Sequence, residues 1–181
     1  MISLARASNH NFAFVSTVIF GLSLVILYTS STVYHWARRK FHPRMESFRL
    51  IDHIAIYYLI AGSYTPFTLI TLGDGSGYRI FFSVWIIALL GTVYKLLVQN
   101  RIPLLSLALY IAMGGIVFLD IQELIASTDS TTLSLIAGGG LSYMIGTVFY
   151  AVKSIPYGHP IWHVFVLIGS GLHLAAVCTI V

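Results

Sequence analysis

Charged residues are scarce in this chain. Ten Lys or Arg and six Asp or Glu make up only 9% of its 181 residues, whereas an average globular domain has about a quarter. Hydrophobic residues account for 57% of the chain, and the mean hydropathy is +0.87. Because a soluble protein of this size needs more charge on its surface, the composition predicts that lipid surrounds most of the chain.

Cysteine and low-complexity sequence are also nearly absent. Cys178 is the single cysteine, which excludes a disulfide-rich secreted scaffold. The hydrophobic composition excludes intrinsic disorder. The net charge of +4 would suit a nucleic-acid partner, but the basic residues fall between apolar runs. We therefore predict contact with anionic lipid headgroups and no nucleic acid.

The apolar runs are long enough to cross a bilayer, which takes about 20 helical residues. They predict an all-α polytopic membrane protein that forms one integral membrane domain over residues 1–181. Short breaks with turn formers or prolines separate the runs, as at Gly73–Gly77, Pro103 and Pro156. The six predicted helices are about Phe12–Tyr34, Leu50–Leu72, Tyr78–Val98, Ile102–Leu124, Thr131–Val152 and Ile161–Val181.

The basic residues predict the orientation of these helices, because short loops rich in Lys and Arg stay in the cytoplasm. Eight of the ten fall on one side: Arg38, Arg39, Lys40, Arg44, Arg49, Lys95, Arg101 and Lys153. Arg6 and Arg79 fall on the other. We therefore expect a multi-pass protein of the plasma (inner) membrane, whose first helix runs from outside to inside and whose C-terminus lies outside.

Ionisable residues inside membrane spans are costly and mark functional sites. His35 lies at the end of the first predicted helix, Asp52 at the start of the second, and His159 and His163 at the start of the last. The predicted topology places these ends in the cytoplasmic leaflet. Three distant stretches of chain thus bring four metal-ligand residues to one depth.

The spacing of His159 and His163 supports a metal site. Four residues apart on a helix, the two imidazoles share one face, and Pro160 fits a first helical turn with His159 at the cap. Three histidines and a carboxylate suit Zn²⁺. Alternatively, the histidines form hydrogen bonds to neighbouring helices, and Asp52 caps its helix or pairs with Arg49.

Three motifs together resemble the hemolysin III family, bacterial relatives of the progestin and adipoQ (adiponectin) receptors. They are Ser31-Thr32-Val33-Tyr34-His35, then Leu50-Ile51-Asp52-His53 leading to Ala61-Gly62-Ser63-Tyr64-Thr65-Pro66-Phe67, and His159-Pro160-Ile161-Trp162-His163. The resemblance implies a seven-helix bundle with an intramembrane zinc near the cytoplasmic face. His35, His159 and His163 match the family's ligands, Asp52 matches an acid that reaches the metal directly or through water, and Ser31 matches the serine of the first motif.

One departure from the family pattern is the number of helices. Six are predicted here, and Met1–Leu4 resembles only the tail of a preceding helix. We therefore expect the chain to lack most of the family's first helix.

The resemblance also implies a function, because the wider superfamily is regarded as metal-dependent hydrolases of lipid amides. In such a hydrolase of lipid amides or esters, Asp52 would take a proton from water and Ser31 would donate a hydrogen bond to the developing oxyanion. The alternatives are a receptor-like regulator of membrane state with structural zinc and a pore-forming haemolytic protein. Four direct protein ligands would favour a structural zinc, and an open position with water would favour catalysis. The oligomeric state is left open.

Three other predictions concern polar residues away from this set. His53 follows Asp52 by one residue and so points about 100° away on a helix, which predicts a supporting contact rather than ligation. His173 is too far from His163 along its helix to share one metal, which predicts a polar contact nearer the outer leaflet. Asp120 and Glu123 are expected at a solvated outer helix end.

Close helix packing is expected at the glycines of Gly114–Gly115 and Gly138–Gly140.

Overall fold

The structure, a computed structural model, describes residues 12–98 and 103–181, and this part of the chain is built from helices without a strand. Seven α-helices follow in order: α1 (Ala13–Arg39), α2 (Met45–Pro66), α3 (Tyr78–Leu97), α4 (Pro103–Gly115), α5 (Ile121–Ser127), α6 (Ser130–Ala151) and α7 (Gly158–Ile180). Two π-helical segments, Phe67–Thr71 and Gly73–Gly77, connect α2 to α3, and a 3₁₀ segment, Ile116–Asp120, connects α4 to α5.

Six helical segments of the described chain are long and apolar enough to cross a membrane. Five contain α1, α2, α3, α6 and α7, and the sixth, Leu105–Ser127, joins most of α4 to α5. The prediction of an all-α polytopic membrane protein is confirmed. The first helix extends past its apolar run to Arg39, because Arg38 and Arg39 stabilise its C-terminus. The second begins before its apolar run, at Met45, with Glu46 in its first turn, where an acid is favourable.

Helix α2 lies at the centre of the bundle. The most apolar stretch of its span is 56% buried, whereas the values for the other five spans are 17 to 33%. It contributes to two hydrophobic clusters, one shared with α1 and α7 and one shared with α3, α4 and α5. The residues of the first cluster are Phe20, Leu27, Ala55, Leu59, Phe67, Val166, Ala176 and Val177. Those of the second are Tyr57, Ala61, Leu72, Ile80, Val84, Ala88, Met113, Ile116 and Leu124.

The segment between α2 and α3 differs from the predicted turn. Residues Gly73–Gly77 form a π-helical turn, and the Leu72 amide donates to the Phe67 carbonyl at 3.0 Å, five residues back. A Cβ at Gly77 would lie 2.2 Å from the Thr68 carbonyl oxygen. The second wide turn therefore depends on glycine at position 77.

The fourth predicted helix is interrupted at Gly115. The chain there passes through the 3₁₀ segment before α5 begins. The Tyr64 hydroxyl donates to the Gly114 carbonyl at 2.7 Å and accepts from the Val117 amide at 3.2 Å. A side chain of α2 thus replaces hydrogen bonds that the break would otherwise leave unmade. The predicted start of this helix, Ile102, lies outside the described residues.

Glycine packing, expected at two glycine runs, occurs at only one of them. A Cβ at Gly139 would lie 2.2 Å from the His173 ring, whereas nothing lies within 4 Å of one at Gly140 or Gly114. At Gly115 such an atom would make only ordinary contact with Phe118, at 3.9 Å. Gly139 therefore sets the close approach of α6 and α7, while Gly114–Gly115 marks the helix break.

Candidate metal centre

The three predicted histidine ligands come from two neighbouring helices. His35 lies one turn before the end of α1, and His159 and His163 lie in the first two turns of α7. Helices α1 and α7 also meet farther along, where the Tyr28 hydroxyl donates to Ser170 Oγ at 2.9 Å. Antiparallel connections bring the C-terminal end of α1 and the N-terminal end of α7 to the same side of the bundle.

Helix α7 begins earlier than the sequence predicts, which changes the position of His159. Its cap is Tyr157, in a left-handed conformation with φ 58°, and Gly158 is the first helical residue. A Cβ at Gly158 would lie 2.6 Å from the Phe149 carbonyl oxygen, so glycine permits this close start. His159 is therefore not the cap but a residue of the first turn, where its side chain is positioned by regular helix geometry together with that of His163.

The three imidazoles point their Nε2 atoms at one another. These atoms are 3.1 Å apart between His35 and His163, 3.3 Å between His159 and His35, and 3.1 Å between His163 and His159. The ring planes are inclined to each other by 79° for His35 and His163, by 56° for His159 and His35, and by 87° for His163 and His159. The histidines thus form a nearly equilateral triangle of nitrogens, with rings that radiate from a common centre.

Hydrogen bonds alone do not satisfy this triangle. Each Nε2 either carries a proton or offers a lone pair, so among three mutually adjacent nitrogens at least one pair has two protons or two lone pairs facing each other. A cation that accepts all three lone pairs removes this conflict. Tetrahedral zinc, with Zn–N bonds of about 2.0–2.1 Å, places its nitrogen ligands about 3.3–3.4 Å apart. The donor set and its spacing therefore fit a metal ion.

Aromatic side chains surround the histidine triangle. Trp162 lies with its ring centroid 4.5 Å from that of His163 and 5.4 Å from that of His159. The Tyr34 ring is 4.9 Å from His35, and Tyr150 packs on Trp162 at 5.0 Å. These neighbours leave the histidines half-buried and limit the rotation of their rings.

Asp52 lies on α2 at the same end of the bundle, but not within the triangle. Its side chain is buried, with 6% exposed, and the Ser31 side chain lies close enough to interact with its carboxyl. Among the described residues, the group whose ligand atoms all lie within 4.8 Å of one another consists of His35, His159 and His163. Asp52 therefore lies at the same end of the bundle but outside this group of ligand atoms.

Ser31, which interacts with this carboxyl, lies on the same helix as His35. It lies four residues before His35 on α1, which places both on one helix face. Ser31, His35 and His163 line the same groove in the protein surface. The groove is also lined by Trp36 and Arg39, which are not metal-ligand residue types. In the sequence they follow His35 by one and by four residues, and four is the spacing of one helix face.

The other ionisable residues singled out from the sequence lie elsewhere. His53 uses Nδ1 to donate to the Arg49 carbonyl at 2.6 Å. His173 donates from Nε2 to the Ile136 carbonyl at 3.3 Å. Both histidines thus make polar contacts to backbone, outside the triangle.

The two acids at the opposite end of the bundle are not simply solvated. Asp120 pairs with Arg79 at 3.3 Å, and Glu123 accepts from the Ser76 amide at 3.3 Å. These bonds tie the π-helical connection and the start of α3 to the end of the fourth span. The two carboxylates therefore have a structural role there.

The fold and this centre define a multi-pass helical membrane protein with a potential metal-binding histidine cluster at one end of its bundle. The haemolysin-III related family matches residues 1–174, and the chain belongs to this family. No solved structure gives a significant match.

Relatives from bacteria and mammals match nearly the whole chain. A protein named Hemolysin-3 homolog from Bacillus subtilis is 43% identical over 91% of this chain and 77% of its own length. Hemolysin-3 from Bacillus cereus is 37% identical over 95% of this chain and 78% of its own length. The human Monocyte to macrophage differentiation factor is 31% identical over 96% of this chain and 74% of its own length.

Proposed function

We propose that this protein is a zinc-dependent hydrolase that acts on amide or ester bonds of membrane lipids. The observation that carries the proposal is the triangle of Nε2 atoms, 3.1 to 3.3 Å apart, inside a bundle of apolar spans. A cluster of three imidazoles at membrane depth is costly to keep without a bound cation. His35, His159 and His163 would hold the zinc ion.

Zinc suits this set because it accepts imidazole nitrogen and works with three protein ligands in catalytic sites. When bound, it would supply Lewis acidity and lower the pKa of a water molecule from about 15.7 towards 7. The burial of Asp52 beside this centre, together with its position outside the closest donor group, favours a role through water. Asp52 would accept the water proton and later pass it to the leaving group.

Ser31 would hold the reacting groups in place. Its position next to Asp52 and in the groove shared with His35 and His163 supports a hydrogen bond either to the carboxylate or to the carbonyl oxygen of a substrate. Such a donor stabilises negative charge that develops on that oxygen. The groove is open at the surface of the bundle, so a lipid would enter sideways.

A structural clamp is the second candidate function. His35 belongs to α1 and the other two histidines belong to α7, so a bound ion would also tie these helices together in a receptor-like regulator. A substitution of Asp52 distinguishes the hydrolase from the structural clamp, because a clamp does not need a proton acceptor.

The proposed orientation places the histidine end in the cytoplasmic leaflet of the plasma membrane and the C-terminus outside. Its support is the distribution of charge. The described basic residues at the histidine end are Arg38, Arg39, Lys40, Arg44, Arg49, Lys95 and Lys153, and Arg101 lies outside the described residues. Arg79 belongs to the opposite end, at the start of α3. This asymmetry follows the positive-inside rule.

A lipid comparison tests the hydrolase proposal. Membranes are incubated with the wild-type protein, with His163→Ala, and with Gly140→Ala as a control whose added Cβ meets no other atom within 4 Å. The proposal expects one class of amide or ester lipid to decrease and its fatty acid to increase with the wild type and with Gly140→Ala only. Identical lipid compositions after all three incubations would contradict a hydrolase.

A further inference from the structure

Three hydroxyl groups from three helices lie within reach of the buried Asp52 carboxyl. Ser31 of α1 interacts with this carboxyl directly, and Tyr110 of α4 and Tyr150 of α6 interact with it electrostatically. In the proposed hydrolase, Asp52 accepts the proton of the attacking water, so hydroxyl groups around it lie near the reacting atoms. They are therefore candidate donors to the carbonyl oxygen of a bound lipid.

Two of these hydroxyl groups have acceptors within the protein. The Tyr110 hydroxyl donates to the His53 carbonyl at 2.7 Å, and its ring packs against that of Tyr57, with the two centroids 4.6 Å apart. The Ser31 hydroxyl has the Asp52 carboxyl in reach, and a hydrogen bond to an ionised acceptor is stronger than one to a neutral acceptor. Neither hydroxyl is therefore the best donor for a substrate.

Tyr150 differs from these two residues, because its contacts use its carbonyl and its ring. Lys153 donates to the Tyr150 carbonyl at 3.1 Å, and the same ammonium lies 4.7 Å from the centre of the ring. The ring packs on Trp162 at 5.0 Å and lies 6.5 Å from the His159 ring. Within the described part of the chain the Tyr150 hydroxyl has no hydrogen-bond partner, so it can donate to a ligand.

The surroundings of the Tyr150 ring hold it in place and strengthen its hydroxyl as a donor. Trp162 directly precedes His163 on α7, so the packing of Tyr150 on Trp162 fixes the ring to the helical turns that carry two of the three histidines. The Lys153 ammonium beside the ring favours negative charge on the phenolic oxygen, which makes the hydroxyl a stronger donor. A donor that is held in place beforehand needs no reorganisation when charge develops on the substrate.

We propose that Tyr150 donates a hydrogen bond to the carbonyl oxygen of the lipid amide or ester and is a further catalytic residue of this site. The proposal rests on the proposed hydrolase function. It assigns the Ser31 hydroxyl to the Asp52 carboxylate and the Tyr150 hydroxyl to the substrate. Helix α6 thereby contributes to the site together with α1, α2 and α7.

The step that Tyr150 assists is the addition of water to the acyl carbon. As the water oxygen bonds to that carbon, the electron pair of the C=O bond moves to the carbonyl oxygen, and the water proton passes to Asp52. The Tyr150 hydroxyl donates to the carbonyl oxygen while that oxygen carries negative charge. The C=O bond then re-forms, the bond to the amide nitrogen or ester oxygen breaks, and Asp52 returns the proton to this leaving atom. The products are one fatty acid and one amine or alcohol.

A rate measurement uses p-nitrophenyl palmitate as the substrate of the purified full chain in detergent. Tyr150→Phe keeps the ring that contacts Trp162 and Lys153 and loses only the hydroxyl. It should lower kcat by about 10²–10³-fold, the effect of removing one oxyanion donor, with little change in KM. Tyr157→Phe, which removes a hydroxyl from an exposed side chain at the same end, should leave kcat unchanged. The metal content and the unfolding temperature should match the wild type in both variants.

A binding measurement uses palmityl trifluoromethyl ketone, whose hydrated carbonyl carbon is tetrahedral like the reacting carbon. The wild type should bind this ketone at least about tenfold more tightly than Tyr150→Phe, because hydrogen bonds to groups with negative charge are the strong ones. Ser31→Ala should weaken the ketone less, since Ser31 serves Asp52. Equal affinity of the wild type and Tyr150→Phe would overturn the proposal, and so would an equal loss of affinity in Ser31→Ala.

Lys153→Met tests whether the charge beside the ring acts through the Tyr150 hydroxyl. In the wild-type background it should lower kcat by about two- to fivefold, the size of a cation–π contact at an exposed site. In the Tyr150→Phe background it should have no further effect, because the hydroxyl on which the charge acts is gone. The same decrease in both backgrounds would overturn this part of the proposal.

The rate and binding measurements separate this proposal from the hydrolase proposal. If the wild type hydrolyses the ester and Tyr150→Phe retains the same kcat, the hydrolase stands and the role of Tyr150 fails. If the wild type binds the ketone through the Tyr150 hydroxyl without hydrolysing the ester, the hydrolase proposal fails and Tyr150 stands as a ligand-binding residue. If the wild type does not bind the ketone, the role of Tyr150 fails.

Discussion

The Nε2 atoms of His35 and His163 lie 3.1 Å apart, although 128 residues separate the two histidines in the chain. The end of α1 and the start of α7 meet at this point, and His159 adds a third nitrogen from the preceding turn of α7. The contact therefore joins the first and last described helices through the residues that carry the proposed chemistry.

Replacement of Asp52 by Asn separates catalysis from metal binding. Because Asp52 lies outside the closest donor group, Asp52→Asn should retain most of the bound metal. Lipid hydrolysis should fall by about 10²-fold or more, as the loss of a general acid or base costs about 10²–10⁴-fold. The measurements are the metal content and the rate of fatty acid release from the same preparation.

The matched control is His53→Gln, which changes the neighbouring polar residue, whose side chain contacts the Arg49 carbonyl. It should leave the metal content and the rate of fatty acid release near those of the wild type. Loss of metal together with activity in Asp52→Asn would instead indicate that Asp52 is a direct ligand and would favour the clamp.

Glycine 139 should be required for the packing of α6 on α7. The added Cβ of Gly139→Ala would lie 2.2 Å from the His173 ring and 3.2 Å from the Gly169 carbonyl oxygen. Overpacking of this kind costs about 1–3 kcal/mol. Thermal unfolding in detergent should therefore occur at a lower temperature in this variant.

Gly140→Ala is the neighbouring control, since its Cβ meets nothing within 4 Å. It should leave the unfolding temperature unchanged or raise it, because Ala favours a helix over Gly by up to about 1 kcal/mol. An equal decrease in both variants would contradict the packing role of Gly139.

Asp129 should make the stability of α6 depend on pH. Its carboxylate caps the helix by accepting from the Thr132 hydroxyl and from the Thr132 and Thr131 amides at 3.1 and 2.9 Å. The hydrogen bond from the Thr132 hydroxyl, followed by those from the amides, lowers the pKa of this carboxyl below 3.8. Since the folded pKa is lowered, the contribution is present above pH 3.8 and is lost as the pH falls through the folded value.

The acid titration is measured by thermal unfolding between pH 7 and pH 2 in a detergent that does not ionise there. Asp129→Asn keeps a cap acceptor but no charge, so its stability should fall less than that of the wild type at the acid end. Parallel curves for the two proteins would contradict this role of Asp129.

Much of the fold could be predicted from composition and periodicity alone. Lipid requires long apolar segments, so the six spans are visible in the sequence. The alternation of their directions also predicts that His35, Asp52, His159 and His163 share one end of the bundle. The four-residue spacing of the last two histidines predicts that they share a helix face.

The details that depend on contacts between helices could not be predicted from the sequence. The break at Gly115 is stabilised by the Tyr64 hydroxyl from α2, a partner 50 residues away. The start of α7 depends on a left-handed Tyr157, which no glycine or asparagine marks. The wide turn at Gly77 depends on its approach to Thr68. Glycines mark the break and the turn, but local patterns do not identify the groups that approach them or the conformation of Tyr157.

The proposed function depends most directly on a metal ion bound in the histidine triangle. The decisive measurement is elemental analysis of the purified wild-type protein and of His163→Ala, with His53→Gln as the histidine control. We predict about one zinc ion per chain in the wild type and in His53→Gln, and a loss of most of it in His163→Ala. The same zinc content in all three proteins, or no metal in the wild type, would contradict the proposed zinc site.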